Sequence, residues 1–244
     1  MRAPQFRRVA YVVALVSCGP APDTGPSETA TSAEVILAAA GRAMGVGPEA
    51  GSLQLVADAR VQGPVEEFRT LIHSSADGRV RMEQMPFGFL AGIGRHEGWV
   101  LDSESGQVED LGSRVAFLRG HELHMLALLP ESRLANARLV GASWFGSSDA
   151  LAVALDLPTE DSLVMYFGAL DTLPVGLRVT GTDPDVIVEW SDWIEQDGVR
   201  LFREAVLRQG EEVFTYTFDE VRLGTFPDSV FEAPAMPDAT SPSG

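Results

Sequence analysis

Residues 186–221 read VIVEWSDWIEQDGVRLFREAVLRQGEEVFTYTFDEV, and this stretch decides the architecture. Three runs rich in β-branched and aromatic residues, Val186 to Trp193, Val199 to Leu207 and Val213 to Val221, are separated by Asp197-Gly198 and by Gly210. A short Gly-containing break between two such runs is a strong local hairpin signal, because glycine enters the left-handed backbone region without penalty. The stretch therefore predicts three consecutive antiparallel strands.

The same grammar extends outward. Leu151 to Leu155, Ser162 to Phe167 and Val175 to Thr180 are bounded by Gly, Pro or Asp, and strands begin again from Leu139. Toward the N-terminus, Leu53, Leu55 and Ala57 alternate with Gln54, Val56 and Asp58, and Phe68, Leu71 and His73 lie in a second extended run. Asp77-Gly78 separates that run from Arg79 to Met85, and Glu97 to Asp102 continues the meander. Two segments carry helical periodicity instead. Thr31 and Glu34 are spaced as a capping box ahead of Val35, Ile36, Leu37, Ala38 to Ala40 and Ala43, with Gly45 as the stop. From Ser113 to Leu129, Val115, Leu118, Leu123, Leu126 and Leu129 recur at helical spacing, with Gly120 as a point of weakness and Pro130 as the end. About ten strands and two helices predict an α+β protein, mainly antiparallel, built as a half-open, unclosed β-barrel wrapped over an N-terminal and a mid-chain helix.

The N-terminus has another character. Met1 to Arg8 holds Arg2, Arg7 and Arg8 and no acid, Val9 to Val16 is an unbroken apolar run, and Leu15-Val16-Ser17-Cys18 closes it. A basic region, a short apolar run and a small residue make a bacterial secretory signal. The run is about half the ~20 residues a spanning helix needs. Leu-Val-Ser-Cys resembles a lipobox, which implies cleavage before Cys18 and acylation of that cysteine. Residues 1–17 are thus expected to be signal peptide and 18–31, rich in Pro, Gly, Ser and Thr, a flexible tether. Residues 32–234 are expected to form one domain and 235–244 a disordered tail.

Composition narrows the function. The chain carries 18 basic and 35 acidic residues, a net charge of −17, and no lysine. The missing lysine, with the abundance of Ala, Gly and Val, reads as the codon bias of a GC-rich genome. Nucleic-acid binding, which rests on basic residues neutralising phosphates, is disfavoured, and so is a folded body lying on an anionic leaflet. With Cys18, the only cysteine, acylated, no thiol is left for disulfides, zinc or nucleophilic catalysis. Gly19 follows the cysteine where an aspartate would mark inner-membrane retention, so an outer membrane facing the periplasm is expected if the organism has two.

The element order and three local motifs resemble the LolA/LolB lipoprotein-carrier superfamily. Tyr166 to Pro174 (YFGALDTLP) is similar to a hairpin turning at an acid-Thr-Leu-Pro step. Trp190 to Phe202 (WSDWIEQDGVRLF) is similar to a late hairpin of that fold, and Phe226 to Pro234 (FPDSVFEAP) to its closing segment. The resemblance implies a half-barrel whose helix-covered concave side offers an apolar cavity to acyl chains. It also suggests a role for Met85 to Ile93 (MPFGFLAGI), which places Phe87, Phe89, Leu90 and Ile93 in an apolar loop comparable to the one with which a membrane-anchored acceptor delivers cargo. Trp99, Trp144, Trp190 and Trp193 are expected in the core or lining the cavity.

Other constellations are weaker. His121-Glu122-Leu123-His124 puts two histidines three apart, against the four of a zinc metalloprotease helix. Asp102, Glu104, Glu109 and Asp110 match no calcium loop, and Ser143, Ser147 and Ser148 sit in no Gly-x-Ser-x-Gly elbow. No metal, cofactor or catalytic residue is expected. The function expected is that of a membrane-anchored extracytoplasmic lipoprotein, not an enzyme, that binds lipid or lipoprotein acyl chains in transport or localisation. Its partners would be an acyl chain, the membrane through Cys18, and other lipoproteins. The competing readings are an assembly protein with a packed interior and a metal-dependent hydrolase using His121 and His124.

Overall fold

Asp197-Gly198 turns the chain as its residue types demand: φ is +52° at Asp197 and +80° at Gly198, and Val186–Gln196 folds back on Val199–Gln209 with Gln196 opposite Val199. The structure, a computed structural model, describes residues 32–47, 51–95, 97–103, 105–134, 136–156, 162–181 and 184–234. The signal peptide, Cys18, the tether, Thr31, His96, Glu104 and the tail lie outside them.

Among the described residues thirteen strands form one sheet: β1 Gln54–Gln62, β2 Glu67–Ser75, β3 Val80–Met85, β4 Phe89–Ile93, β5 Gly98–Leu101, β6 Val108–Asp110, β7 Arg138–Phe145, β8 Ser148–Asp156, β9 Ser162–Gly168, β10 Pro174–Thr180, β11 Val186–Gln196, β12 Val199–Gln209 and β13 Glu212–Leu223. Their spatial order is β6-β5-β4-β3-β2-β1-β13-β12-β11-β10-β9-β8-β7. Two meanders are thus joined where β1 pairs antiparallel with β13. β6 and β7 stand at opposite edges, so the sheet is open.

The strand count corrects the expectation of about ten, and the extra strands explain why. β4 is the apolar run FLAGI, without alternation, which reads as loop until β3 and β5 pair on either side of it. β6 has three residues, too few for a periodic signal. β7 falls where strands were expected to begin again, from Leu139, but Gly141 at φ +120° and a register shift between Leu139 and Gly141 deny it a clean run of its own.

Among the described residues four helices cover one face: α1 Ala33–Ala43, α2 Val115–Gly120, α3 Leu123–Leu128 and α4 Pro130–Arg133. The cap of α1 is Ser32, whose hydroxyl accepts the Val35 N–H at 3.3 Å, so the Thr31–Glu34 capping box is corrected. Its stop is as expected, with Gly45 at φ +80°. The mid-chain helix is broken. α2 ends at Gly120, α3 starts at Leu123, and Pro130 opens α4 instead of only closing its predecessor, because proline at the first helical position loses no hydrogen bond.

The main core lies between sheet and helices. Ile36, Leu37 and Ala40 of α1, and Leu123, Met125 and Leu126 of α3, pack on alternate residues of β1 and β8–β13. Each of the leucine, isoleucine and methionine side chains contributes about 1.5–3 kcal/mol on burial. A second cluster under α2 joins Ile72, Val80, Met82, Ala91, Val100, Leu111 and Leu118. Phe145, Ala150, Ala152 and Tyr166 form a third; Ala152 lies there while Val153 points into the main core, so this cluster is on the outer face.

The segment after β13 crosses the back of β1–β5. The Phe226 N–H donates to Gln54 Oε1 at 2.6 Å, and Phe226 meets His73 edge-on. The Trp99 indole N–H donates to the Phe231 carbonyl at 2.9 Å. Asp228 pairs with Arg79 at 2.6 Å and Arg95 at 2.8 Å, and the Arg79 guanidinium lies over the Phe231 ring. The Asp and Phe of FPDSVFEAP are thus fasteners of a strap.

Candidate functional site

On the cover α1 packs against α3 and α4, and a cleft of about 380 Å³ lies along the seam between them. Its walls are Ala38, Gly41 and Arg42 of α1, Val46 just beyond it, Ala76 of the β2–β3 turn, and Leu128 to Ser132. Small residues make the opening: Ala38, Ala39 and Gly41 keep the outward side of α1 low, and nothing lies within 4 Å of a side chain built at Gly41. The volume is at the low end of the range for small-molecule pockets, about 300–1,000 Å³. Apart from Arg42, Glu131 and Ser132 the wall is apolar, so it can take hydrocarbon and hold a polar end at the rim.

Both sides of the cleft are tied to the sheet by polar contacts. At the end of α1 the Met44 carbonyl accepts the Arg200 N–H at 2.9 Å. On the other side Glu122, 3% exposed, accepts from Arg119 at 2.7 Å and from Arg133 at 3.2 Å. Arg133 also donates to the Ser75 carbonyl at 3.2 Å, which fastens α4 to the β2–β3 hairpin. Burial pushes the Glu122 carboxyl up, against the opposing pull of Arg133 and Arg119.

The histidines are part of this fastening. His121 Nδ1 lies 2.8 Å from the Phe117 carbonyl and Nε2 lies 3.4 Å from the Tyr216 hydroxyl. A carbonyl only accepts, so Nδ1 carries the proton and Nε2 accepts from Tyr216. His124 Nε2–H donates to the Phe202 carbonyl at 2.9 Å, and its ring stacks on Phe202. Burial lowers both pKa values, that of His124 to about 4. The two rings sit on either side of the helix break, each engaged with backbone. Their spacing in sequence therefore serves to hold helices on β12 and β13.

The tryptophans divide. Trp99 and Trp190 are buried, and Trp193 is half-buried with its ring edge-on to Phe202. Trp190 also stacks on Phe202. Trp144 departs from expectation: it is 69% exposed, because β7 is the sheet edge and its end lies beyond the reach of the helices. The apolar stretch 85–93 is likewise corrected. Phe89, Leu90 and Ile93 are in β4, leaving Phe87 in the turn. Phe89 and Ile93 pack against the cluster under α2, with Phe89 edge-on to Phe117, while Phe87 contacts Phe68. Of the apolar side chains at these turns, Met85 at the end of β3 stays 46% exposed, and Val65 of the β1–β2 turn 91%.

The cleft residues were not singled out from sequence. The one trace of them is the Ala-Ala-Ala-Gly-Arg-Ala run of α1, where small residues occupy the outward as well as the inward side.

No protein-family model matches the chain, and no curated protein sequence matches it. Solved structures do. A LolA superfamily protein from Nitrosomonas europaea aligns at TM-score 0.59 with 14% identity, over 84% of this chain and 99% of that one. An outer membrane lipoprotein-sorting protein domain from Vibrio parahaemolyticus aligns at 0.55 with 10% identity, over 80% of this chain and 95% of that one. The chain has a LolA-like fold. At these identities the likeness is one of backbone.

Proposed function

We propose that this protein is an extracytoplasmic, non-enzymatic lipoprotein, held to a membrane by acylated Cys18, that binds a lipid or lipoprotein acyl chain between α1 and α4. The observation that carries the reading is the apolar cleft of about 380 Å³, flanked by helices that rest on the sheet and are not part of its hydrogen-bond ladder. A chain entering there replaces water by apolar wall at about 0.8 kcal/mol per methylene. Parting α1 from α4 would lengthen the groove toward the core. The LolA-like fold supports an address outside the cytoplasm. Exposed Met85, at the end of β3 and ahead of the β3–β4 turn, is where such a body would meet a bilayer.

The test is lipid capture by the purified protein with Cys18 replaced by serine. It should carry lipid through purification or take up a fluorescent fatty acid. Gly41→Phe, which fills the cleft from α1, should reduce uptake severalfold. Protein that neither co-purifies with lipid nor takes up the probe ends this reading.

One observation favours a second reading. The helix-covered face is filled by side chains, Phe167, Phe202 and Phe218 among the largest and most deeply buried. A packed interior suits a structural or assembly lipoprotein that works through its acidic surface. Failure of lipid capture with a stable fold would select it.

A further inference from the structure

The two edges of the sheet are finished differently. β6 is three residues long and includes Glu109 and Asp110, both exposed, a usual way to discourage pairing with another strand. β7 is eight residues long, and from Leu139 to Phe145 it has no charged side chain. Its register shift lies between Leu139 and Gly141, so Gly141 to Phe145 is regular strand.

That register determines which backbone groups face outward. Phe145 pairs with Ser148 across the two-residue turn Gly146-Ser147, which makes it the closing hydrogen-bonded pair of the hairpin. Antiparallel ladders alternate, so Ala142 and Trp144 direct N–H and C=O away from β8. Among the described residues no turn, loop or cap hydrogen bond reaches them. Beside these groups Trp144 is 69% and Val140 54% exposed. Phe145, by contrast, is buried and stacked on Tyr166 with ring centroids 4.4 Å apart, which holds the end of the strand in place.

The electrostatics around this edge have one sign at the Trp144 end. Asp149 is opposite Trp144 in the ladder and is exposed. The β9–β10 turn is drawn beside it by the Ala169 N–H, which donates to the Asp149 carbonyl at 3.1 Å, and brings exposed Asp171. The chain as a whole carries −17. We propose that the β7 edge is a docking site for an extended, basic segment of a partner protein. The segment adds antiparallel to β7, like every other pair in the sheet. It makes main-chain bonds to Ala142 and Trp144, lays an apolar side chain on Trp144, and sets basic residues at its N-terminal end by Asp149 and Asp171. A second copy of the chain is the poorer occupant, since both copies carry the same large negative charge.

The probe is a fluorescein-labelled peptide of alternating valine and threonine preceded by two arginines, titrated into the purified full chain. A matching peptide led by two glutamates is the control. The arginine peptide should bind saturably, shift Trp144 fluorescence to the blue, and weaken as salt rises. Ala142→Pro removes an outward N–H and leaves the β8 ladder whole, as proline on an edge strand does; binding should fall about tenfold or more. Trp144→Ala changes an exposed residue and should also weaken binding severalfold. The proposal is overturned if the glutamate peptide binds equally well, or if both variants bind the arginine peptide as the parent does. It is also overturned if sedimentation shows a dimer that Ala142→Pro dissolves, which would assign the edge to a second copy.

Discussion

His124 lies face to face on Phe202, ring centroids 3.8 Å apart and planes within 8°, while its Nε2–H donates to the Phe202 carbonyl. One residue of the helical cover is thus bound to one residue of β12 by both its ring and its proton. Neutrality of the imidazole is a condition of that contact, since the ring is buried among Phe202, Phe218 and the core.

Stability should therefore fall on mild acidification. Above the ordinary histidine pKa of 6.5 neither folded nor unfolded chain holds the proton, and the contribution is complete. Between 6.5 and about 4 the unfolded chain takes up a proton that folded His124 refuses, and stability declines. The loss from this group is at most about 3 kcal/mol and ends once the folded state protonates too. Denaturant unfolding at a series of pH values should show this slope, and His124→Phe should reduce it. It will not vanish, because burial lowers His121 and His73 in the same direction.

Gly45→Ala should loosen α1. Gly45 has φ +80°, and a Cβ there would sit 1.9 Å from the Gly198 carbonyl oxygen. Strain and displacement together should cost about 1–3 kcal/mol. Gly41→Ala is the contrast: in open space within α1, it should stabilise by about 0.5–1 kcal/mol. Thermal unfolding of both variants separates backbone strain from simple loss of glycine.

Glu122→Gln should release the other side of the cleft. It removes the charge that Arg119 and Arg133 share and should cost about 3 kcal/mol. Hydrogen exchange would report it locally, with amides of α3 and α4 exchanging faster than those of β12 and β13. Equal acceleration across the whole sheet would mean that Glu122 holds the fold, not the cover.

Phe231→Ala should detach the strap. The ring is fully buried, and truncation should cost about 3–5 kcal/mol. Trp99→Phe, which loses only the bond to the Phe231 carbonyl and some volume, should cost about 1–2 kcal/mol. Limited proteolysis after β13 would follow the same order.

Much of the strand pattern, the turns at Asp77-Gly78 and Asp197-Gly198 and the stop of α1 at Gly45 were legible because each depends on a residue's own backbone freedom or on a period of two. The candidate site was not. Ala38 and Leu128 are ninety residues apart, and only docking of both helices on one sheet makes them walls of one cleft. Trp144 was misplaced for the same reason. Its strand context is correct, but whether a strand residue is covered depends on what lies beyond its strand.

Sequence by itself determined the antiparallel, strand-rich class, the hairpin positions and the acidic charge, all of which follow from local φ preferences, side-chain alternation and composition. The tertiary structure alone decided that β4 is a strand, that FPDSVFEAP straps the outer face, and that β7, uncharged from Leu139 to Phe145, is the edge. Those outcomes are set by pairings between segments far apart in the chain, where loop closure and packing outweigh local preference.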